Sequence, residues 1–245
     1  MNLTQAYLKS IRLERDRVTD WTSYPFSVPT VSPLDELELH PNVTFFVGEN
    51  GTGKSTLLEA IAIAAGYSPE GGSQNFKLST NTSATSELHK FIRLIRGTRR
   101  PKGGFFLRSE SFFNVATLLD GFGTSGNGGR SLHQQSHGES FMALFMSRFQ
   151  SDSLYFMDEP EAALSPVRQM SLLTIIHRLV KTGAQVVIAT HSPIIMAYPD
   201  ALIYSFSAEG IAPIKYTNTE HYKVTKNFFD RREKSLKILM EEDEL

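Results

Sequence analysis

Residues Gly48-Glu49-Asn50-Gly51-Thr52-Gly53-Lys54-Ser55 complete the pattern G-x-x-x-x-G-K-[ST], which needs a strand before it and a helix after it. With glycine near 7% of average usage, such a run arises by chance in roughly one chain of this length in a hundred. Its flanks make chance less plausible still. Val43-Thr44-Phe45-Phe46-Val47 is a β-branched and aromatic run that suits a buried strand. Thr56 to Ala65 reads as a helix stopped by Gly66. In that setting the loop N–H groups and the helix's positive end, worth about half an elementary charge, can hold phosphate oxygens. The predicted nucleotide-binding residues are Gly48, Glu49, Asn50, Gly51, Thr52, Gly53, Lys54, Ser55 and Thr56. Lys54 is expected to reach the β- and γ-phosphates, and the Ser55 hydroxyl to ligate Mg²⁺. The competing reading, a glycine-rich turn with a solvated lysine, explains neither flank.

The remaining composition is ordinary. A chain of 245 residues suffices for one large α/β domain, alone or with a smaller lobe. A net charge of −1 neither favours nor excludes nucleic acid. Cysteine is absent, which removes disulfides, thiolate zinc sites and cysteine nucleophiles and accords with a reducing cytosol. No apolar stretch approaches the roughly 18 residues of a membrane span. Met1 to Lys9 lacks the apolar core of a signal peptide. The expectation is a soluble, cytoplasmic chain without a membrane partner.

Along the chain, strands are predicted at Tyr7–Leu13, Phe26–Val31, Leu34–Leu39, Val43–Val47, Gly104–Arg108, Leu154–Met157 and Gln185–Ala189. Residues 66–86 are rich in Gly, Ser, Thr and Asn and predict irregular structure. Glu87 to Arg100 reads as a basic helix, and Gly121 to Arg130 as a glycine-rich loop. Ser165 can cap a helix that opens on Pro166 and ends at Gly183. Strand, helix, strand of these lengths is a crossover unit, so Leu154–Met157 and Gln185–Ala189 are expected to be parallel. Residues 223–245 suit a charged terminal helix with a sparse apolar face at Phe228, Phe229, Leu236 and Leu239.

Ligands of an open parallel sheet sit beyond the carboxyl ends of its strands, and three predicted strand ends carry parts of one site. The first is the phosphate loop. The second is Leu154-Tyr155-Phe156-Met157-Asp158-Glu159, an apolar strand followed by two acids. Asp158 would support Mg²⁺ and Glu159 would orient or deprotonate an attacking water. The third is His191, where an imidazole could meet the γ-phosphate and that water. Alone, an Asp-Glu-Pro is often a turn and a lone histidine is often structural; the matching strand ends favour the functional reading of both. A fourth piece is Ser136-His137-Gly138-Glu139 before an apolar helix. It has capping-box spacing, and its exposed helix N-terminus is also an anion site.

In order and spacing these pieces resemble the ABC-type ATPases, which combine Walker A, a signature loop, Walker B with glutamate, and a switch histidine. Ser136–Glu139 precedes Walker B by about twenty residues, and His191 follows Glu159 by 32. Asp158-Glu159-Pro160-Glu161-Ala162-Ala163-Leu164-Ser165-Pro166 and Ala189-Thr190-His191-Ser192-Pro193 look most like the SMC- and RecF-like AAA ATPases. The resemblance implies an α/β fold, a P-loop NTPase of ABC ATPase type, with a mixed sheet core and a small signature-bearing helical lobe. It implies one domain over 1–245, with a core lobe at about 1–80 and 150–245 and the helical lobe at about 81–149. It further implies a homodimer that sandwiches two ATP molecules, Ser136 and Gly138 of one copy meeting the γ-phosphate on the other's Lys54.

The chain departs from the usual Leu-Ser-Gly-Gly-Gln signature at Gln135, His137 and Glu139, and Ser165 stands where the dimer-contacting loop usually has Asp. Gln74 and Glu110 are both candidates for the glutamine loop. Trp21 and Tyr24 are candidates for stacking on adenine, against a buried strand position for each. The functional expectation is an ATP hydrolase acting as a dimerising switch, in DNA maintenance, DNA repair or phage defence. The alternatives are the nucleotide-binding subunit of a membrane transporter, or a low-turnover ATP sensor that regulates a partner. Lys90, Arg93, Arg96, Arg99, Arg100 and Lys102 place six basic residues in thirteen. As a helix they would put Arg93, Arg96 and Arg100 on one face, a possible DNA or RNA contact. Any effector would be a separate protein.

Overall fold

The computed structural model describes residues 6–73, 86–108 and 150–241. The phosphate-loop run sits where its flanks require. Strand β3 (Val43–Gly48) leads into it and helix α1 (Lys54–Ala64) leaves it. The helix closes with Gly66 N–H donating to the Ile63 carbonyl and Tyr67 N–H to the Ala62 carbonyl. That paired return to the last turn satisfies carbonyls the helix cannot pair itself.

β3 lies inside a six-stranded sheet with β5 (Gly103–Arg108), β6 (Ser153–Asp158), β7 (Gln185–Ala189), β8 (Leu202–Ser207) and β9 (Gly210–Pro213), in the order β5-β6-β7-β3-β8-β9. Every pairing is parallel except β8 with β9, so the sheet is mixed. The parallel pairing of β6 and β7 runs from Leu154 opposite Gln185 to Asp158 opposite Ala189. Helix α2 (Pro166–Lys181) makes the crossover between them. Its proline stands at the first position as expected, but the Ser165 side chain makes no capping hydrogen bond.

The central strands are apolar at nearly every position because both faces are covered. Phe46, Leu154, Phe156, Val187 and Ala189 point into one core with α1. Val43, Phe45, Val47, Tyr155, Met157, Val186 and Ile188 point into the other with Leu172, Ile176 and Leu179 of α2. Alternate residues of each strand thus serve opposite cores.

A second, antiparallel sheet of three strands, β2-β1-β4, joins the first core. It consists of β1 (Leu8–Leu13), β2 (Glu36–Glu38) and β4 (Ile92–Arg96).

Three expectations change here. Phe26–Val31 is not a strand: prolines recur at Pro25, Pro29 and Pro33, and successive turns join Ser27 N to Ser23 O and Val31 N to Val28 O. A residue without an N–H cannot serve a ladder at that spacing. The basic helix is likewise absent. Glu87–Lys90 makes one 3-10 turn capped by Ser86, and β4 follows it. Arg93 and Arg96, three apart on a strand, face opposite ways, so the shared arginine face is lost. Lys90 pairs with Glu87, and Arg99 and Lys102 both pair with Asp152.

β4 and β5 therefore belong to the two sheets, although both fall within the span expected for the helical lobe. Gly121–Arg130 and the Ser136–Glu139 stretch lie outside the described residues. The C-terminal segment is two helices, α3 (Glu220–Asp230) and α4 (Arg232–Glu241). The β8–β9 hairpin was not foreseen in the sequence.

Candidate functional site

Glycine is required in the loop at two points. Gly48 has φ +145°, and a Cβ there would lie 2.2 Å from the Phe206 carbonyl oxygen on β8. Gly53 caps α1 at φ +91°, and its Cβ would lie 2.7 Å from Thr30 Oγ1 and 2.9 Å from Val28 Cγ1. The Thr30 hydroxyl donates to the Thr52 carbonyl at 2.5 Å, and the Thr52 hydroxyl to the Glu49 carbonyl at 2.8 Å. The loop is thus held in shape from within and from the proline-rich segment beside it.

Lys54 is 4% exposed, and its Nζ donates to the Glu49 carbonyl at 2.7 Å. Burial pushes its pKa below the ordinary lysine value, opposed by the carboxylates of Glu159, Asp158, Glu49 and Glu161. Such a cation, sunk among acids at a helix N-terminus, is suited to polyanionic phosphate.

At the end of β6, Asp158 Oδ1 accepts from the Ser55 hydroxyl at 2.8 Å. A hydroxyl oxygen and a carboxylate oxygen therefore lie side by side between loop and strand. Mg²⁺ takes one or two protein oxygens and fills its octahedron with water and phosphate oxygens, and this donor pair fits it. Among the described residues no three His, Cys, Asp or Glu side chains gather into a metal cage.

Glu159 follows in the left-handed region, φ +48°, with its N–H bonded to the Ala189 carbonyl at 2.9 Å. That turn aims the carboxylate off the strand end toward β7. There Glu159 Oε1 stands 3.5 Å from His191 Nε2. A cleft of about 210 Å³ is lined by Asn50, Gly51, Gly53, Lys54, Ser55, Thr56 and Glu159, with Tyr24 and Val28 at its side.

The position after β7 is braced by residues to which the sequence assigned no role. Glu161 Oε1 accepts the His191 N–H at 2.5 Å, while Glu161 Oε2 is buried without a hydrogen-bond partner. Burial raises the Glu161 pKa, only partly offset by hydrogen bonds to the carboxylate from that N–H, from its own backbone N–H and from the Thr190 hydroxyl. Ser192 donates to Gln169 Oε1 at 2.6 Å and accepts from the Ile194 and Ile195 N–H groups. His191 Nδ1 lies 3.1 Å from His221 Nε2 on α3. Glu161 is visible as the second glutamate of Asp-Glu-Pro-Glu; His221 has no sequence signal, because 30 residues and a hairpin separate it from His191.

Of the remaining candidates, Ser136, Gly138, Gln74 and Glu110 lie outside the described residues. Neither candidate aromatic is a strand residue. Trp21 packs its edge on Phe26 and has the Arg15 guanidinium 4.3 Å over its ring. Tyr24 is 63% exposed beside the phosphate loop, its hydroxyl 3.2 Å from Thr56 Oγ1.

Two family models match the sequence. One, described as "AAA domain, putative AbiEii toxin, Type IV TA system", matches residues 105–197, and one described as "AAA domain" matches residues 30–135. Among solved structures, the SMC head domain from Thermotoga maritima is 14% identical, with 85% of this chain and 99% of that chain covered and a TM-score of 0.49. The cbiO1 subunit of the ABC transporter complex cbiONQ from Clostridium perfringens is 15% identical, with 85% and 91% covered and a TM-score of 0.47. No protein among the curated ones matches the chain.

Proposed function

We propose that this chain, which two AAA-domain family models match in part, is an ATPase of the SMC- and RecF-like, ABC type that binds ATP with Mg²⁺, hydrolyses it, and uses the cycle to close and open a homodimer. One observation carries the reading: Lys54, Ser55 and Glu159 line one cleft at the strand ends, with Asp158 bonded to Ser55 and His191 Nε2 3.5 Å from Glu159 Oε1.

The division of labour follows from chemistry and position. The loop N–H groups from Gly48 to Ser55, with Lys54, neutralise the β- and γ-phosphates. Ser55 and Asp158 would hold Mg²⁺, which would supply charge neutralisation to the phosphates when bound. Glu159 takes the proton of, or orients, the attacking water, a role worth about a hundredfold or more in rate. His191, whose Nε2 stands 3.5 Å from Glu159 Oε1, donates to the γ-phosphate or that water.

Closure would complete each site with Ser136 and Gly138 of a second copy, which is what the order of the motifs supports. A use in DNA maintenance, DNA repair or phage defence is supported by resemblance to the SMC- and RecF-like group. No helix among the described residues is long and apolar enough to cross a membrane.

The test is the Glu159→Gln protein. Expected are ATP binding like the parent, hydrolysis slowed at least about a hundredfold, and elution as a dimer only with ATP and Mg²⁺. Turnover at the parent rate would remove Glu159 from the chemistry. A monomer with bound ATP would remove the dimer.

A further inference from the structure

The two ring nitrogens of His191 have different surroundings. Nδ1 is 3.1 Å from His221 Nε2, and the rings meet edge to face with centroids 5.2 Å apart. Nε2 is buried without a hydrogen-bond partner and stands 3.5 Å from Glu159 Oε1.

His221 is not there by accident of a loose tail. It is the second residue of α3, and the helix cap before it, Thr219, is 1% exposed. The Thr219 hydroxyl donates to the Tyr216 carbonyl at 2.8 Å and accepts the Tyr222 N–H at 3.4 Å. The Tyr216 hydroxyl donates at 3.0 Å to the carbonyl of Pro193, two residues past His191. The start of α3 is therefore tied to the same loop that carries His191.

A neutral imidazole has one N–H and one lone pair, so a nitrogen–nitrogen hydrogen bond contains one proton. Burial and the nearby Lys54 cation hold both histidines below the ordinary histidine pKa. If His191 donated from Nδ1, its Nε2 would be a bare lone pair buried against a carboxylate, an unmade bond beside a like-signed partner. If His221 donates instead, His191 carries its proton at Nε2. An N–H then faces Glu159, itself a lining residue of the cleft. The second arrangement replaces a bare lone pair facing a carboxylate with a donor facing it, and that donor remains available to an oxygen of a bound ligand.

We propose that His221 is a positioning residue: by donating Nε2–H to His191 Nδ1, it fixes His191 as an Nε2–H donor facing Glu159 and the γ-phosphate. Partner nitrogens of this kind commonly set which nitrogen of a working imidazole carries the proton. His221 itself need touch neither nucleotide nor water. The inference rests on the hydrolysis reading above for its kinetic consequence, but not for the tautomer.

Two measurements on the full chain test it. First, ¹⁵N shifts of the histidine rings should give His191 protonated at Nε2 and bare at Nδ1 in the parent, and a mixture of tautomers in His221→Ala. Second, His221→Ala should lower kcat about tenfold or more, the worth of one hydrogen bond of about 1.4 kcal/mol in the transition state, with KM for ATP and the melting temperature near the parent's. His221→Gln, whose side-chain NH₂ can occupy the place of Nε2–H, should recover most of the lost rate. A parent His191 protonated at Nδ1 overturns the proposal, whatever the turnover. So does parent-like kcat in His221→Ala, or a Gln variant as slow as the Ala variant. Absence of hydrolysis in the parent itself overturns the hydrolysis reading instead, and leaves the tautomer to decide the inference.

Discussion

The two ends of β7 treat buried polar groups in opposite ways. At its amino end Gln185 is 0% exposed, yet its side chain is fully used. Oε1 accepts the N–H groups of Tyr7 and Leu8 at 3.0 and 2.9 Å, and Nε2 donates to the carbonyls of Leu8 and His40 at 2.8 and 2.9 Å. These bonds stitch the entry of β1 to the six-stranded sheet. Just past the carboxyl end, Glu161 Oε2 and His191 Nε2 are buried with no such partner. A buried donor or acceptor left unmade costs roughly 1–3 kcal/mol. One end of the strand has been settled by folding alone, while the other keeps unmade bonds beside a cation that a ligand could use.

The largest expected effect therefore lies at the end with no proposed chemistry. Gln185→Met keeps the volume and removes all four bonds, leaving backbone groups of Tyr7, Leu8 and His40 to seek other partners. A stability loss of about 3–5 kcal/mol is expected, read as a shift of the denaturant midpoint at unchanged slope. ATP affinity measured well below that midpoint should match the parent's. A loss under about 1 kcal/mol would mean that water replaces Gln185 readily, and the contrast between the ends would fail on this side.

Next in size is Lys54→Ala, which removes the buried cation from the other end. ATP affinity by calorimetry should fall at least about a hundredfold, or roughly 2.7 kcal/mol, because the loop amides alone then face the phosphates. Folding stability should hold or rise, since burial of the ammonium opposes its charged form. A variant that binds ATP like the parent would show that the cleft is not organised around this lysine. A large loss of stability would make Lys54 structural.

What could be read from the sequence divides along the same line. The strand–loop–helix and the β6–α2–β7 crossover follow from local patterns: apolar runs, glycine spacing and a proline at a helix start. Features set by tertiary contacts did not show. Ile92 to Arg96 contains good helix formers and basic spacing, but pairing with β1 decides its state. The Cβ that Gly97 lacks would lie 1.9 Å from the Ala6 carbonyl oxygen, marking how closely the strands approach there. Gln185 looked like the first residue of a strand and nothing more. His221 meets His191 only because β8, β9 and the start of α3 fold back over β7. Phe26 to Val31 carries β-branched and aromatic residues, but Pro25, Pro29 and Pro33 turn the chain there instead.

The smallest effect, Glu161→Gln, tests whether the site end really holds an unsatisfied charge. The raised pKa means the folded chain keeps a proton on Glu161 over a pH range in which the unfolded chain has lost it. Parent stability must then fall as pH rises from the ordinary carboxylate range to the raised folded pKa, and level off above it. Glutamine keeps the oxygen that accepts the His191 N–H but carries no charge, so the variant should lack this decline. At pH 8 it is expected to be more stable than the parent, by less than the roughly 1–3 kcal/mol of one unmade hydrogen bond. Below about pH 4, where the carboxyl is protonated in both states, the advantage should vanish. Denaturant midpoints of both proteins at the two pH values measure it. If the variant is instead less stable at pH 8 than at pH 4, relative to the parent, the Glu161 charge is stabilised in the fold. Both ends of β7 would then be equally settled, and His191 Nε2 alone would be left open to a ligand.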